Sequence, residues 1–519
     1  MSRSKKKVDA LFMTSVAAQI VDETVGPSAD PGFGQGRIGI VDVGSNTVRL
    51  VVFDAPARLP IPIFNERVAC RLGKGIGQSG KLDPEGVEQA LQCLARFCGL
   101  AREMQVEQFK MLATAAVREA ADGEEFVRRV EETCSFKVQV LSGEAEAHMG
   151  ASGILGGSPN ADGLFGDMGG GSLDLVSLDK GDYGKSETLP LGHLRITEDA
   201  GGNPDKANKL IEKHLRKLTW LEDNAGRNFY AVGGTWRAIA RIYIEQIDYP
   251  LRVIDNFTMN VNDALELTKV LSGLSSSSLE QMSGVARRRA DTLPLAALVM
   301  NKLLEKSRPD RVVFSGYGLR EGQFFEMLPD ELKQQDPLIS ACEGFARRSG
   351  RFSVHGEEMA EWILPVFPGV SSDDARLIRA AALMSDIGWT EHPDYRALHS
   401  FIRSLRLPIA GITHRERIML ALSIFVRYNG KRRQYEVRQV RKLLQEEDDH
   451  MAIVLGLALR LSHTISGGVP GLLSRTKLAL EGNKLTLNLG EDRKLFMGIA
   501  VERLMNDLSS ALQVEPVVI

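Results

Sequence analysis

The chain has 519 residues, too many for one ordinary core, and at roughly 150 residues per domain it divides into three or four. A composition of 43% hydrophobic and 25% charged residues excludes wholesale disorder. A formal charge of -3 excludes a surface that binds polyanions all over and leaves room only for a local basic face.

A basic head, MSRSKKK, precedes the apolar VDALFMTSVAAQIV and imitates a secretory signal. Asp9 and Gln19 interrupt that stretch and no convincing A-x-A cleavage site follows, so the reading is a cytoplasmic protein. No run reaches the roughly 18 apolar residues of a membrane helix. Residues 1–36 end in the Gly/Pro-rich VGPSADPGFGQG and are expected to be a disordered tail. The cysteines (Cys70, Cys93, Cys98, Cys134, Cys342) form no C-x-x-C pair, so neither a disulfide framework nor a zinc site is implied.

Residues 37–54, RIGIVDVGSNTVRLVVFD, read as a hairpin around a Gly-Ser-Asn turn. Pro84–Met104 and Gly123–Cys134 have helical spacing, and Phe109–Thr114 and Lys137–Ser142 read as short strands. This alternation predicts an α/β fold. Residues 163–179, GLFGDMGGGSLDLVSLD, then repeat the first hairpin: Asp42 falls on Asp167, Gly44 on Gly169, Leu50 on Leu175 and Asp54 on Asp179. Such a repeat predicts two similar domains facing each other, over about 37–155 and 156–335. A third turn, Tyr230–Ala238, follows a short strand and opens a helix. From about Gln335 helical periodicity dominates, and the chain closes with a hairpin around Gly482-Asn483 and a last helix. Residues 336–519 thus read as a mainly helical third domain.

A strand that ends in Asp and a Gly-rich, hydroxyl-bearing turn offers backbone N–H groups to a phosphate without side-chain obstruction. Asp42, Gly44, Ser45, Asn46 and Thr47 supply one such loop. Asp167, Gly169, Gly170, Gly171 and Ser172 supply a second, and Gly233, Gly234 and Thr235 a third. One loop alone would be a tight hairpin needing Gly for positive φ. Three of them, two in register, point to phosphate, and the aspartates suit a hydrated Mg²⁺.

The ordered series VDVGSNTVRL (41–50), TAAVREA (114–120), LSGEAEA (141–147), GDMGGGSLDLV (166–176), LPLGHLRITE (189–198), AVGGTWRAIA (231–240), RADTLPLA (289–296) and SGYGLREG (315–322) resembles the exopolyphosphatase / guanosine pentaphosphate phosphohydrolase family, within the actin-like ATPase and sugar-kinase superfamily. The resemblance implies two ribonuclease-H-like lobes with the active site in the cleft between them, followed by the helical extension of long family members. It implies that Glu146 activates a water for attack on the terminal phosphorus. Glu144, two residues away on a strand or extended turn, would face the other way. Asp174 stands where the family often has Glu and would orient water or metal, Asp42 and Asp167 would hold Mg²⁺, and Arg118 would grip phosphate. A homodimer is a further family expectation, while dependence on a monovalent cation is left open.

In the helical part, His355, Asp386 and His399 resemble pieces of the HD-type metal phosphohydrolase pattern, with Ser385-Asp386 in place of its His-Asp dipeptide. That loss of a nitrogen ligand implies an HD-like but metal-free domain. His148 and His193 lie near motif segments, and nothing makes either a ligand. Residues 401–442 carry eleven basic residues against Glu416 and Glu436, a local charge of +9. A solvated face is the common meaning of such a run. Beside a phosphate-cleaving cleft it also suits a track for a long polyanion, with Arg415, Arg417, Lys431, Arg432 and Arg433 as its candidates. Phe401, Phe425, Tyr428 and Tyr435 would alternatively stack nucleic-acid bases.

The expected activity is therefore Mg²⁺-assisted release of orthophosphate from the end of inorganic polyphosphate. The alternative in the same family converts guanosine pentaphosphate to the tetraphosphate. Other classes are an ATP-dependent kinase of the superfamily, its adenosine site at the AVGGTW turn, and a nucleotide-gated scaffold.

Overall fold

The computed structural model describes residues 36–519 except 55, 60, 350 and 352–354. The tail expected over 1–36 lies, apart from Gly36, outside the described residues. Runs of Val, Ile and Leu on either side of the Gly-Ser-Asn turn form β1 (Arg37–Val43) and β2 (Val48–Phe53), an antiparallel hairpin with Asp42 opposite Arg49. With β3 (Pro62–Val68), β4 (Val106–Ala113) and β5 (Val138–Val140) they make a sheet of order β3-β2-β1-β4-β5. The parallel partners β4 and β5 are reached through helices Pro84–Glu103 and Gly123–Cys134. The first of these starts where Asp83 accepts from the Gly86 N–H and Pro84 fills the first helical position.

The second sheet repeats this plan. Its strands are β6 (Gly163–Met168), β7 (Leu173–Asp179), β8 (Asp182–Leu189), β9 (Asn228–Val232), β10 (Phe257–Asn260) and β11 (Arg311–Phe314), in the order β10-β11-β9-β6-β7-β8. Asp167 faces Asp174 across its hairpin as Asp42 faces Arg49 across the first. Both turns close with the same bond, Gly44 N–H to Thr47 C=O and Gly169 N–H to Ser172 C=O, each 3.0 Å. The sequence repeat is thus a repeat of structure, and the α/β class is as expected.

Each sheet buries both faces. One face of the first packs Val41, Leu50 and Val52 against Leu94 and Phe97. Its other face packs Ile38, Ile40, Val51 and Phe53 against Phe324 of helix Leu319–Glu326 and Leu328 just beyond it. That helix comes from the end of the second sheet, while helix Gly143–Gly157, which follows the first, packs its Ala147, Ala151 and Ile154 with Phe165 and Val176 of the second. The two helices cross at glycines: a Cβ on Gly322 would lie 1.7 Å from the Met149 carbonyl oxygen, and one on Gly153 would lie 2.4 Å from that of Gly318. This contact sets Glu146 and Arg320, one on each helix, at the same cleft.

Beyond 336 the chain is helical, with a core that includes Ile378, Met384, Leu420, Phe425, Leu455 and Leu459. The expected hairpin is β12 (Lys477–Glu481) and β13 (Lys484–Asn488), turning at Gly482 with φ +57°. An unexpected strand, β14 (Glu515–Val518), follows the last helix and pairs parallel with β13. Four residues carry too little pattern to announce a strand whose partner is remote in sequence. Among the described residues no helix is long and apolar enough to cross a membrane.

Candidate active site

The SGEAEA segment is not extended, as expected from the sequence, but forms the first turn of helix Gly143–Gly157, started by Ser142, whose Oγ accepts from the Ala145 N–H at 3.1 Å. Glu144 is exposed, whereas Glu146 turns inward with 13% of its side chain accessible. Its Oε2 accepts from Arg118 Nη1 at 2.7 Å, and the same nitrogen donates to the Leu141 carbonyl at 2.9 Å. Burial raises the Glu146 carboxyl to about 7, against the pull of Arg118 and with further pushes from Asp42 and Asp167.

Because Asp167 and Asp174 are directly opposed on β6 and β7, both carboxylates project from one face of the second sheet. Asp174 is buried and held at two oxygens: Thr188 Oγ1 donates to Oδ1 at 2.8 Å and Ser172 Oγ to Oδ2 at 3.3 Å. Burial first, then Glu146, pushes its carboxyl well above the usual range. Asp167 lies deep in the cleft, still touched by solvent, and burial raises it to about 6 despite Arg237 and Arg320. Asp42 accepts from Arg320 Nη1 at 2.8 Å. The candidate carboxylates Asp42, Glu146, Asp167 and Asp174 thus act on one another electrostatically, against Arg118, Arg237 and Arg320.

The three glycine loops border this cluster. Ser45 of the first abuts the second: a Cβ on Gly170 would meet Ser45 Cβ at 3.2 Å, and one on Gly171 would meet Ser45 Oγ at 3.0 Å. Asn46 and Thr47 complete the first turn, where the Asn46 carbonyl accepts from the Arg71 N–H at 3.0 Å. In the third, Gly233 takes φ +101° because a Cβ would meet the Met168 carbonyl at 2.6 Å and Asp167 Oδ1 at 3.0 Å. Gly234 lies against the Arg289 guanidinium, and Thr235 is buried ahead of helix Trp236–Gln246. Sequence reasoning gave no role to Thr188, Arg237, Arg289 or Arg320. The last three lie in motif segments already quoted, which was the available signal; Thr188 is found only through its register with Asp174.

The fit to Mg²⁺ is that of a cation completed by waters and substrate oxygens. Carboxylates outnumber the guanidinium groups in contact with them, but among the described residues no three His, Cys, Asp or Glu side chains close into an enclosure of their own.

The HD-type triad does not form. Asp386 is held by Arg351 at 3.1 Å and Arg427 at 2.9 Å, and His399 stands apart, half exposed and paired with Glu391 at 3.0 Å. His355 bonds Glu358 and Ser466. The histidine nearest Asp386 is instead His463, which bonds Ser385 at 2.8 Å. The basic run is also less free than its count implied. Arg417 is 1% exposed and donates to the carbonyls of Leu407 and Ile409, so it cannot line a surface track. Arg415 pairs with Asp448 and Asp374, while Lys431, Arg432 and Arg433 are exposed. Phe401 and Phe425 are core residues, and Tyr428 is largely covered, which leaves Tyr435 as the exposed ring.

A cavity of about 900 Å³ lies where β2 and β3, residues 248–255 and the helical part meet. Its walls are largely apolar and carry charges of both signs, among them Asp248, Asp255, Glu321 and Glu436 with Arg252 and Arg406.

The model of the Ppx/GppA phosphatase family matches residues 51–331, and the model described as exopolyphosphatase, C-terminal, matches 338–512. The chain is similar to Retrograde regulation protein 2 of Saccharomyces cerevisiae, 25% identical over 451 residues that cover 78% of this chain and 75% of the relative. It is similar to Exopolyphosphatase 1 of Mycobacterium tuberculosis, 27% identical over 308 residues, 57% of this chain and 89% of the relative. With Guanosine-5'-triphosphate,3'-diphosphate pyrophosphatase of Pseudoalteromonas atlantica it shares 23% identity over 404 residues, 73% and 76% of the two chains. A solved exopolyphosphatase-like protein, 21% identical, matches with a TM-score of 0.51 over 57% of this chain and 99% of that one, a likeness of fold alone. The matched span begins after the Asp42–Thr47 loop, whose assignment therefore rests on its repeat of Asp167–Ser172.

Proposed function

The chain belongs to the Ppx/GppA phosphatase family, and from that premise we propose that it hydrolyses the terminal phosphoanhydride bond of inorganic polyphosphate and releases orthophosphate. The kinase and scaffold alternatives give way, because the family is one of phosphatases. The observation that carries the reading is Glu146: a sheltered carboxylate, raised to about 7 by burial and oriented by Arg118, beside three glycine loops. A base with that affinity for protons orients a water and accepts its proton near neutral pH. Asp174, fixed by Thr188, holds the second side of the water site. The loops at 44–47, 169–172 and 233–235 offer N–H and hydroxyl donors to the terminal phosphates, and Arg118 exchanges part of its hold on Glu146 for a phosphate oxygen. Asp42 and Asp167 would hold Mg²⁺, which when bound screens the charge on the phosphates. In this reading the α/β region is two ribonuclease-H-like lobes over 37–155 and 156–335, an HD-like helical domain covers 336–519, and the exposed Lys431, Arg432 and Arg433 steady the rest of the polymer. The working form is a cytoplasmic homodimer.

A second reading is removal of the terminal phosphate of guanosine pentaphosphate. It is favoured by the similarity to the Pseudoalteromonas protein, which spans more of this chain than that to the mycobacterial one. Phosphate release with Mg²⁺ from long-chain polyphosphate and from guanosine pentaphosphate, each compared with Glu146→Gln, decides between them. Preferential release from the polymer supports the first reading, preferential release from the nucleotide supports the second, and undiminished release by Glu146→Gln removes the proposed base from both.

A further inference from the structure

The two hairpin turns share a further feature: their carbonyl groups are held from behind. In the first, the Gly73 N–H donates to the Ser45 carbonyl at 2.8 Å and the Arg71 N–H to that of Asn46 at 3.0 Å. In the second, the entry of helix His193–Ala200 does the same work. The N–H groups of Gly192, His193 and Leu194 donate to the carbonyls of Gly171, Gly169 and Gly170 at 3.3, 3.0 and 3.0 Å. Such donors have no partner within the first turn of a helix. A trans peptide unit points its C=O and its N–H in opposite directions. The N–H groups of Asn46, Thr47, Gly170, Gly171 and Ser172 therefore face away from these supports, and none of them has a hydrogen-bond partner among the described residues.

Arg195 fixes the supporting helix to the opposite sheet. Its Nη1 donates to Glu119 Oε2, beside the seam where Ser45 abuts Gly170 and Gly171. Asp199, one turn further along the same helix, lies 3.8 Å from Arg195 Nε, beyond a hydrogen bond. A second tie runs from the Gly75 N–H to Glu198 Oε1 at 3.4 Å. The helix entry has no slack, since a Cβ on Gly192 would lie 2.4 Å from the Gly170 carbonyl oxygen. Glu119 ends the short helix Ala115–Glu119 that follows β4, and its neighbour Arg118 bonds Glu146. Glu146 belongs to the helix packed on Phe165 and Val176 of the second sheet. Consecutive residues of one short segment thus bond two different elements on the far side of the cleft.

We propose that Arg195 and Glu119 are positioning residues for phosphate release, an inference that rests on the hydrolase reading of this cleft. Arg118 gives up part of its hold on Glu146 when a substrate phosphate arrives. The Arg195–Glu119 pair then keeps the segment that carries Arg118 against the helix behind the second turn. With the pair in place, the N–H groups of both turns stay aimed at one phosphate chain. Without it, the second turn shifts with its helix. Neither side chain touches substrate; both act through the turn carbonyls and Arg118. The two side chains keep 26% and 36% of their surface accessible, so the contact is modest and reversible within a turnover.

The test compares the full chain with Glu119→Gln, Arg195→Gln and the double variant, on long-chain polyphosphate with Mg²⁺. Each single variant should lower kcat about three- to fivefold, the range open to a partly exposed ion pair, with KM within about twofold. The double variant should be no slower than either single one, because the pair is lost only once. Losses that multiply, an unchanged kcat, or a rise in KM alone each overturn the proposal. Asp199→Asn keeps the crossing and should keep the rate. A loss equal to that of Glu119→Gln would show that charge near Arg195, and not the crossing, is what counts, which also overturns it. Hydrogen exchange on the free chain gives a readout that needs no activity. Amides 192–196 should exchange at least about twofold faster in Glu119→Gln, with helix Pro84–Glu103 unchanged. Equal exchange removes the tie. Release from neither polyphosphate nor guanosine pentaphosphate would refute the hydrolase reading, and the exchange result would still decide whether the pair holds the helix.

Discussion

Arg118 Nη1 lies 2.7 Å from Glu146 Oε2, and the only covalent path between them runs through 27 intervening residues and strand β5. In the proposed mechanism the pair places a general base and a phosphate-binding guanidinium in one contact. Each screens the other until substrate arrives. Glu146→Gln keeps the hydrogen bond and removes the base, so kcat should fall by about 10²-fold or more with KM little changed. Arg118→Met should instead raise KM as well as lower kcat. Steady-state kinetics on the two variants separates these outcomes; matching losses in both would count against the division of roles.

Thr188 shares no motif with Asp174 but faces it across β7 and β8 and bonds it at 2.8 Å. Thr188→Val keeps the shape and removes the donor. The expected loss is about tenfold in kcat, in line with roughly 1–2 kcal/mol for a buried hydrogen bond to a charged acceptor. Thr188→Ser should recover most of the rate. Equal rates for Val and Ser would show that Asp174 is fixed by its strand alone.

The basic run separates by burial. Replacing Lys431, Arg432 and Arg433 with Gln should weaken binding of long polyphosphate, steepest at low salt, and leave melting temperature within a few degrees. Arg417→Met should do the reverse, because it abandons the buried carbonyls of Leu407 and Ile409. Melting curves and chain-length-resolved KM values read both effects.

His414 joins the helical part to the second sheet. Its Nε2 lies 3.2 Å from the Asp255 carbonyl and its Nδ1 3.1 Å from Tyr249 Oη, contacts that the neutral imidazole satisfies by donating at Nε2 and accepting at Nδ1. Burial and Arg417 lower its pKa from 6.5 to about 4. The unfolded chain therefore takes up a proton as pH falls through 6.5 while the folded chain does not, and stability is lost between those values. At pH 5 this amounts to about 2 kcal/mol. Urea unfolding of the parent and His414→Gln at pH 7.5 and pH 5 should show that much less acid destabilisation in the variant.

The crossing of helices Gly143–Gly157 and Leu319–Glu326 leaves no room at Gly322. Gly322→Ala must separate them, and a cost of about 1–3 kcal/mol or more is expected, seen as a melting temperature lower by several degrees. A glycine with nothing near its Cβ position, such as the half-buried Gly99, gives the control.

What the sequence determined by itself was periodic or local. The Asp-x-Gly hairpins repeat because the same turn closes both, and the mainly helical end follows from its spacing. The Gly233 loop was also readable, since only glycine fits its positive φ. Where side chains meet was not readable. Nothing in the order of residues says that Arg320 reaches Asp42 or that Thr188 holds Asp174. Charge counting misjudged Arg417 for the same reason. A sequence shows how many guanidinium groups a segment carries, but desolvation and carbonyl partners, which exist only after packing, decide which of them remain in water.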